Sequence, residues 1–276
     1  MSGVLEKSLA IIEFLVERPG GVPVTAIAAA LDQPASGVHR TLQELARLGY
    51  VRQTRIQGDY ALTIKLPAMG LGFLGRAGIT DVAQPVLDAL AAASGELVRL
   101  SVVEAERLIW VAVAQGATHG LRYDPGQEQG VVVHLASSAG GRAWLSVLSD
   151  AEALARVGAQ GFVREGGAGR TPVDPDSLLK ALAEARARGY AVAVDSYIPG
   201  MAAMAVPVRP HGEGPVLGCL SIAGPAVRMT PARMDELASR LQAAAVELGA
   251  AASGSSYFQT NVRAPDAAPE ADRRRA

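Results

Sequence analysis

A chain of 276 residues with 49% apolar and 19% charged side chains is long enough for two domains, and its net charge of −1 excludes a uniformly basic nucleic-acid coat. The single cysteine, Cys219, excludes an intrachain disulfide. With no apolar run of 18 residues and no basic-then-apolar leader, a soluble, cytoplasmic protein without a membrane partner is expected.

At the N-terminus, Leu5, Leu9, Ile12 and Leu15 or Val16 recur at helical spacing until Pro19-Gly20-Gly21, which predicts a first helix with one buried face. Thr25 is placed to cap a short second helix ending near Leu31, and Pro34 sits at the start of a third. Val38, Leu42, Leu45 and Leu48 form the inward stripe of that third helix, so Ser36, Gly37, His39, Arg40, Gln43 and Arg47 point outward. Two helices joined by Asp32-Gln33-Pro34 read as a helix-turn-helix whose partner is double-stranded DNA.

Gly49 stops the third helix, and residues 50–63 contain two strand-like runs around a glycine-bearing turn, a β-hairpin wing. Residues 35–65 carry Arg40, Arg47, Arg52, Arg55 and Lys65 against Glu44 and Asp59, a balance of +3, whereas residues 1–34 carry two basic and four acidic side chains, a balance of −2. The positive side is therefore the third helix plus wing, where phosphates would lie. Arg40, Arg47, Arg52 and Arg55 are the expected phosphate contacts with Ser36 as a hydroxyl donor; His39 and Gln43 are the base readers, and Thr25 and Gly37 belong to the same surface. A small helical domain with a solvated charged face is the competing reading.

Residues 66–79 form a connecting helix, in which Leu66, Met69, Phe73 and Leu74 keep helical spacing while glycines weaken it. From Thr80 to about Ser253 the pattern turns to mixed α and β. A helix runs to Ser94, and Leu97–Val103 pairs with Arg107–Ala114. Strands follow at Gly120–Tyr123 and Val131–His134, helices near 142–148, 150–157 and 177–188, strands at Tyr190–Asp195, Met201–Val208 and Val216–Ile222, and a last helix over about 231–250. Residues 254–276, rich in Ala, Pro, Asp and Arg, are expected to be disordered.

Ser137-Ser138-Ala139-Gly140 lies between a strand and a helix opening near Arg142, so amides and hydroxyls converge where the helix end is positive and a carboxylate would fit. A capping turn is the alternative use of the same serines. Arg122 pairs either with an anionic effector or with Asp124. His134 reads as a hydrogen-bonded core residue, Trp110 as packing and Cys219 as a small buried hydrophobe. His39, His119, His134 and His211 share no ligand spacing, so neither a metal nor a cofactor is expected.

Several of these segments together resemble the IclR family of bacterial transcriptional regulators. They are the Pro34–Arg40 turn, the Gly58-Asp59-Tyr60-Ala61-Leu62 wing, residues 134–143, Arg188-Gly189-Tyr190-Ala191-Val192, Pro199–Val208 and Leu220–Pro225, in order over about residues 3–250. The resemblance implies an α+β protein: a winged helix-turn-helix over residues 1–65, a linker helix over 66–79, and over 80–253 a GAF-like (profilin-like) effector-binding domain with a mainly antiparallel sheet. It implies a small-molecule effector bound near Ser137 to Gly140, with Met201 and Ala203 on the pocket floor and Asp195 and Tyr197 at its mouth, and a homodimer or dimer of dimers. The family usually has a basic residue where Ala35 stands and a hydroxyl residue where Gly37 stands, so fewer phosphate contacts are expected here. Two other classes compete: a hydrolase built on Ser137, Ser138 or Ser221 with His134 and Asp195, which lacks a Gly-x-Ser-x-Gly elbow, and a DNA-binding module with a degenerate sensor domain.

Overall fold

The structure, a computed structural model, describes residues 3–54, 58–124, 128–163, 174–210 and 214–263. The chain divides into two units, Met1–Leu74 and Gly75–Ala276.

The first unit contains α1 (Val4–Val16), α2 (Val24–Ala30), α3 (Ala35–Arg47) and a hairpin of β1 (Val51–Gln53) and β2 (Tyr60–Leu62). The strands are antiparallel with Arg52 opposite Ala61, and Val22 adds a bridge to Tyr60. Its core is Ile11, Leu15, Ile27, Val38, Leu42, Leu45, Val51 and Tyr60. Two local expectations change. In α1 the buried side chains are Ile11 and Leu15, while Leu5 is 73% and Leu9 49% exposed. Apolar residues occupy two arcs of that helix, and at 100° per residue Leu5, Leu9 and Ile12 fall roughly 100° or more from Ile11; periodicity alone cannot choose between the arcs. Thr25 is not the cap of α2. Pro23, fixed at φ −70° and ψ 154°, stands at the cap and its carbonyl accepts from the Ala26 and Ile27 amides, which leaves Thr25 exposed in the first turn.

Helix α4 (Lys65–Ala77) follows, leaving Met69, Leu71 and Phe73 exposed, and α5 (Ile79–Ser94) opens the second unit. That unit is built on a five-stranded antiparallel sheet in the order β4-β3-β7-β6-β5, formed by β3 (Leu97–Glu104), β4 (Arg107–Gln115), β5 (Ala191–Val194), β6 (Met201–Val208) and β7 (Gly218–Pro225). Side chains alternate across it as strand geometry requires. Val98, Leu100, Met204, Val206, Leu220 and Ile222 pack with α5 and α9 (Pro231–Ala251). Trp110, Ala191, Ala193, Ala205 and Cys219 pack on the other face with α6 (Ala139–Leu145), α7 (Asp150–Gln160) and α8 (Pro175–Arg188).

Three expectations in this unit are corrected. Residues 120–123 form bends and coil rather than a strand, and Val131–His134 pairs with β4 at a single bridge, Ile109 to Val132. The chain passes the sheet edge briefly there before turning at Leu135–Ser137 into α6. The C-terminal tail is not disordered throughout: Ser256–Arg263 is a helix, α10, because its Phe258 is buried and Ser255, itself fully buried, donates to the Ala77 carbonyl at 2.8 Å. The two adjacent aromatics Tyr257 and Phe258 supply an apolar anchor that average composition hides. Residues 264–276 lie outside the described residues.

Candidate functional site

The outward arc of α3 is set by its inward one. With Val38, Leu42 and Leu45 buried, the helical period puts Ser36, Arg40, Gln43 and Arg47 opposite them with His39 alongside, and all five are exposed; Gly37 lies at the margin, half-buried. Gln43 donates to the Tyr60 hydroxyl at 3.0 Å, and the His39 and Tyr60 rings meet edge to face at 6.5 Å, so the outward arc of α3 is tied to the wing. Arg52 is exposed on β1, whereas Arg55 lies outside the described residues. Arg47 is not free as expected: its guanidinium grips Glu44 at 2.5 and 3.0 Å, one turn away on the same helix. A phosphate contact by Arg47 must displace that carboxylate. Glu44→Gln is therefore expected to raise DNA affinity about two- to fivefold with a steeper salt dependence, measured by fluorescence anisotropy over a salt series.

In the second unit a pocket of about 380 Å3, counting its open mouth, is lined by Arg99, Tyr123, Ser138, Ala139, Ala193, Tyr197, Ile198, Met201, Ala202, Ala203 and Ala223. Its rim is made at the N-terminus of α6. Ser138, in extended conformation, accepts the Gly141 amide at 2.9 Å and caps the helix, whose first residue, Ala139, is three residues earlier than the start near Arg142 expected from sequence. Gly141 is inside the helix because a Cβ there would lie 2.3 Å from the Leu135 carbonyl oxygen. Gly141→Ala is expected to disorder the 135–141 turn and cost about 3 kcal/mol or more, read as a fall in the urea midpoint.

The position of the α6 turn is fixed by Arg142, which is buried and donates to the Ala136 carbonyl at 2.8 Å, the Val192 carbonyl at 2.7 Å and the Ser196 hydroxyl at 2.7 Å. Burial pulls its pKa down to about 10, so it is still a cation at neutral pH. On the pocket wall Arg99 donates to the Glu128 carboxylate, stacks 4.3 Å over the Trp110 ring and lies 5.8 Å from the Tyr123 ring. Trp110 in turn meets Tyr197 edge to face at 5.4 Å. Burial lowers the pKa of Arg99 and the Glu128 charge opposes that; burial and Glu128 together push the Tyr123 phenol above its ordinary value.

Of the predicted effector residues, Ser138, Ala139, Tyr197, Met201 and Ala203 line this pocket together. Ser137 does not: it is fully buried and bonded to His134, Oγ to Nδ1 at 2.9 Å, as a core pair. Gly140 faces the sheet instead, with Leu108, Cys219 and Ser101 around it. The Asp195 carboxylate accepts the Gly200 amide at 2.7 Å and shapes the turn before β6, and Arg122 is exposed away from the lining. Sequence reasoning missed Arg99, Tyr123 and Glu128. The available signal was a charged residue in the middle of the apolar run Leu97-Val98-Arg99-Leu100, on the strand face opposite Val98 and Leu100. Cys219 is buried, and burial raises its thiol pKa, which removes it as a nucleophile at neutral pH. Among the described residues no group of three or more His, Cys, Asp or Glu is placed to hold a metal, and no helix is long and apolar enough to cross a membrane.

Residues 4–55 match the IclR helix-turn-helix domain, and residues 72–250 match the bacterial transcriptional regulator IclR C-terminal domain. The chain belongs to the IclR family. The transcriptional repressor IclR of Escherichia coli K12 is 28% identical over 254 residues, 91% of this chain and 90% of that protein. The Thermotoga maritima IclR structure matches with a TM-score of 0.68 at 25% identity, covering 89% of this chain and 96% of that one. An IclR homologue from Microbacterium hydrocarbonoxydans, solved in complex with 4-hydroxybenzoate, matches with a TM-score of 0.73 at 22% identity, covering 92% and 100%. As an IclR-family protein the chain is a DNA-binding transcriptional regulator, with an N-terminal helix-turn-helix and a C-terminal α/β effector domain on an antiparallel sheet.

Proposed function

We propose that this IclR-family regulator reads its operator with Ser36, His39, Arg40 and Gln43 of α3 and Arg52 of the wing, and that a small effector in the pocket between Ser138 and Tyr197 sets its operator affinity. The effector is a carboxylate or aromatic metabolite. The observation that carries the pocket assignment is a buried cation, Arg99, on an otherwise apolar and aromatic wall beside the Ser138 cap. Few polar groups on an apolar lining are the usual composition of a small-molecule site. The 4-hydroxybenzoate complex of the Microbacterium homologue supports an aromatic ligand in this domain type.

The active form is a homodimer or dimer of dimers in the cytoplasm. Support comes from the apolar surface that a single chain leaves open: Val4, Leu5, Leu9 and Val16 on α1, and Met69, Leu71 and Phe73 on α4, are 49–80% exposed. Two copies would set two α3 helices in successive major grooves about one helical turn or a multiple apart. Effector binding changes operator affinity by its differential affinity for two arrangements of the heads. An enzymatic role finds no support in the serines, since Ser137 is sealed against His134 and Ser138 is committed to its cap.

Thermal denaturation of the full chain with a panel of small aromatic acids, phenols and amides tests the pocket. Stabilisation by one of them that Ser138→Val abolishes and Arg40→Ala preserves is the expected result. Stabilisation indifferent to Ser138→Val contradicts the assignment, and a monomer in sedimentation equilibrium at micromolar concentration contradicts the dimer.

A further inference from the structure

The charges on the pocket wall are already balanced. Arg99 is 8% exposed and its Nη1 donates to the Glu128 carboxylate. Glu128, 9% exposed, also accepts the Tyr123 hydroxyl at 2.5 Å. Its backbone is held as well: the Glu128 carbonyl accepts the Val131 amide at 3.1 Å, and the neighbouring Gly130 amide donates to the Trp110 carbonyl at 2.8 Å. Glu128 is thus a fixed counter-ion rather than a side chain free to swing away. The Arg99 Nε–H is itself buried and has no hydrogen-bond partner among the described residues.

A carboxylate entering this space brings a second negative charge close to Glu128, while the positive charge it seeks is spent. Charge–charge repulsion is poorly screened at a buried wall. A neutral acceptor such as a phenol, amide or ester oxygen meets the Arg99 side of the pocket without that repulsion, next to a donor that is costly to leave buried and unpaired. The rings of Tyr123 and Tyr197, which line the pocket, favour a flat ring beside it. We propose that Glu128 makes this pocket selective for neutral, planar, acceptor-bearing ligands and bars carboxylates of the same shape. The proposal rests on the effector-pocket assignment above and narrows its ligand class.

Isothermal titration of the full chain at pH 7.5 with 4-hydroxybenzamide and 4-hydroxybenzoate, which differ in charge and little in shape, tests it. The wild-type protein is expected to bind the amide at least about tenfold more tightly than the benzoate. Glu128→Gln, which keeps an acceptor for Tyr123 and leaves Arg99 uncompensated, is expected to move the ratio at least about tenfold toward the benzoate. A benzoate affinity equal to or above that of the amide in the wild type overturns the proposal, as does a folded Glu128→Gln variant with an unchanged ratio. If that variant does not fold, the wild-type ratio decides alone. Failure of both probes to bind wild type and variant overturns the pocket assignment itself and the proposal with it, an outcome distinct from an unchanged ratio.

Discussion

Arg142→Met is expected to destabilise the second unit by about 2–4 kcal/mol and to weaken ligand binding together with it. The guanidinium donates to three acceptors at once, on the α6 turn, on β5 and at Ser196. Methionine fills similar space but leaves two carbonyls and a hydroxyl without their donor in a region already closed to water. Against that stands the relief of no longer burying a cation, which is why the estimate is less than three full hydrogen-bond penalties. Arg142→Lys is expected to recover little, because one ammonium on a flexible stem cannot span the three directions that a planar fork does. Urea titration gives the loss of stability. The structural cause is separable from a ligand contact, since Arg142 does not line the pocket and Ser138, which does, depends on the turn it holds.

Arg40→Ala is expected to lower DNA affinity by about tenfold per head, hence about a hundredfold for a two-headed complex, and to reduce the slope of log affinity against log salt by about one per head. Arg40 is exposed on the outward arc of α3 and, among the described residues, has no ion-pair partner, unlike Arg47. A phosphate contact weakens binding evenly across sequences, so the loss should be similar on a selected operator and on random duplex. Gln43→Ala should behave differently, with a larger loss on the operator than on random DNA, because an exposed amide on the outward arc of α3 is the side chain type that reads a base edge. Anisotropy titrations on a duplex selected from a random library by the full-length protein measure both.

The fold was legible wherever one period dominated. The α3 stripe Val38, Leu42 and Leu45 and the α9 helix each have a single apolar face, and the β3–β4 hairpin is marked by its turn at Glu104-Ala105-Glu106. Where apolar residues cover more than one face, as in α1, the pattern named the helix but chose Leu5 and Leu9 over Ile11. The strand at 120–123 is absent for a different reason, since a four-residue segment such as Gly120-Leu121-Arg122-Tyr123 carries no information about whether a partner edge is available.

The candidate pocket was partly legible. Ser138, Ala139, Tyr197, Met201 and Ala203, which a turn and a family resemblance single out, line one cavity, whereas Arg99 and Glu128 are 29 residues apart and come together only through the packing of the chain. Two adjacent serines look alike in a sequence, but the strand-to-helix turn sends Ser137 toward His134 and away from the cavity, and Ser138 to the helix cap. Glu44 was read as one unit in a charge sum. Its position three residues before Arg47 makes it a clamp on a candidate phosphate contact.

The measurement that bears most directly on the central claim is anisotropy of a selected operator duplex bound to the full-length protein, titrated with a ligand that stabilises the protein thermally. The affinity is predicted to change at least about fivefold on saturation, in either direction, and to stop changing in Ser138→Val, the size expected of a coupling between two sites. An operator affinity that stays constant while the ligand saturates its pocket would contradict the account.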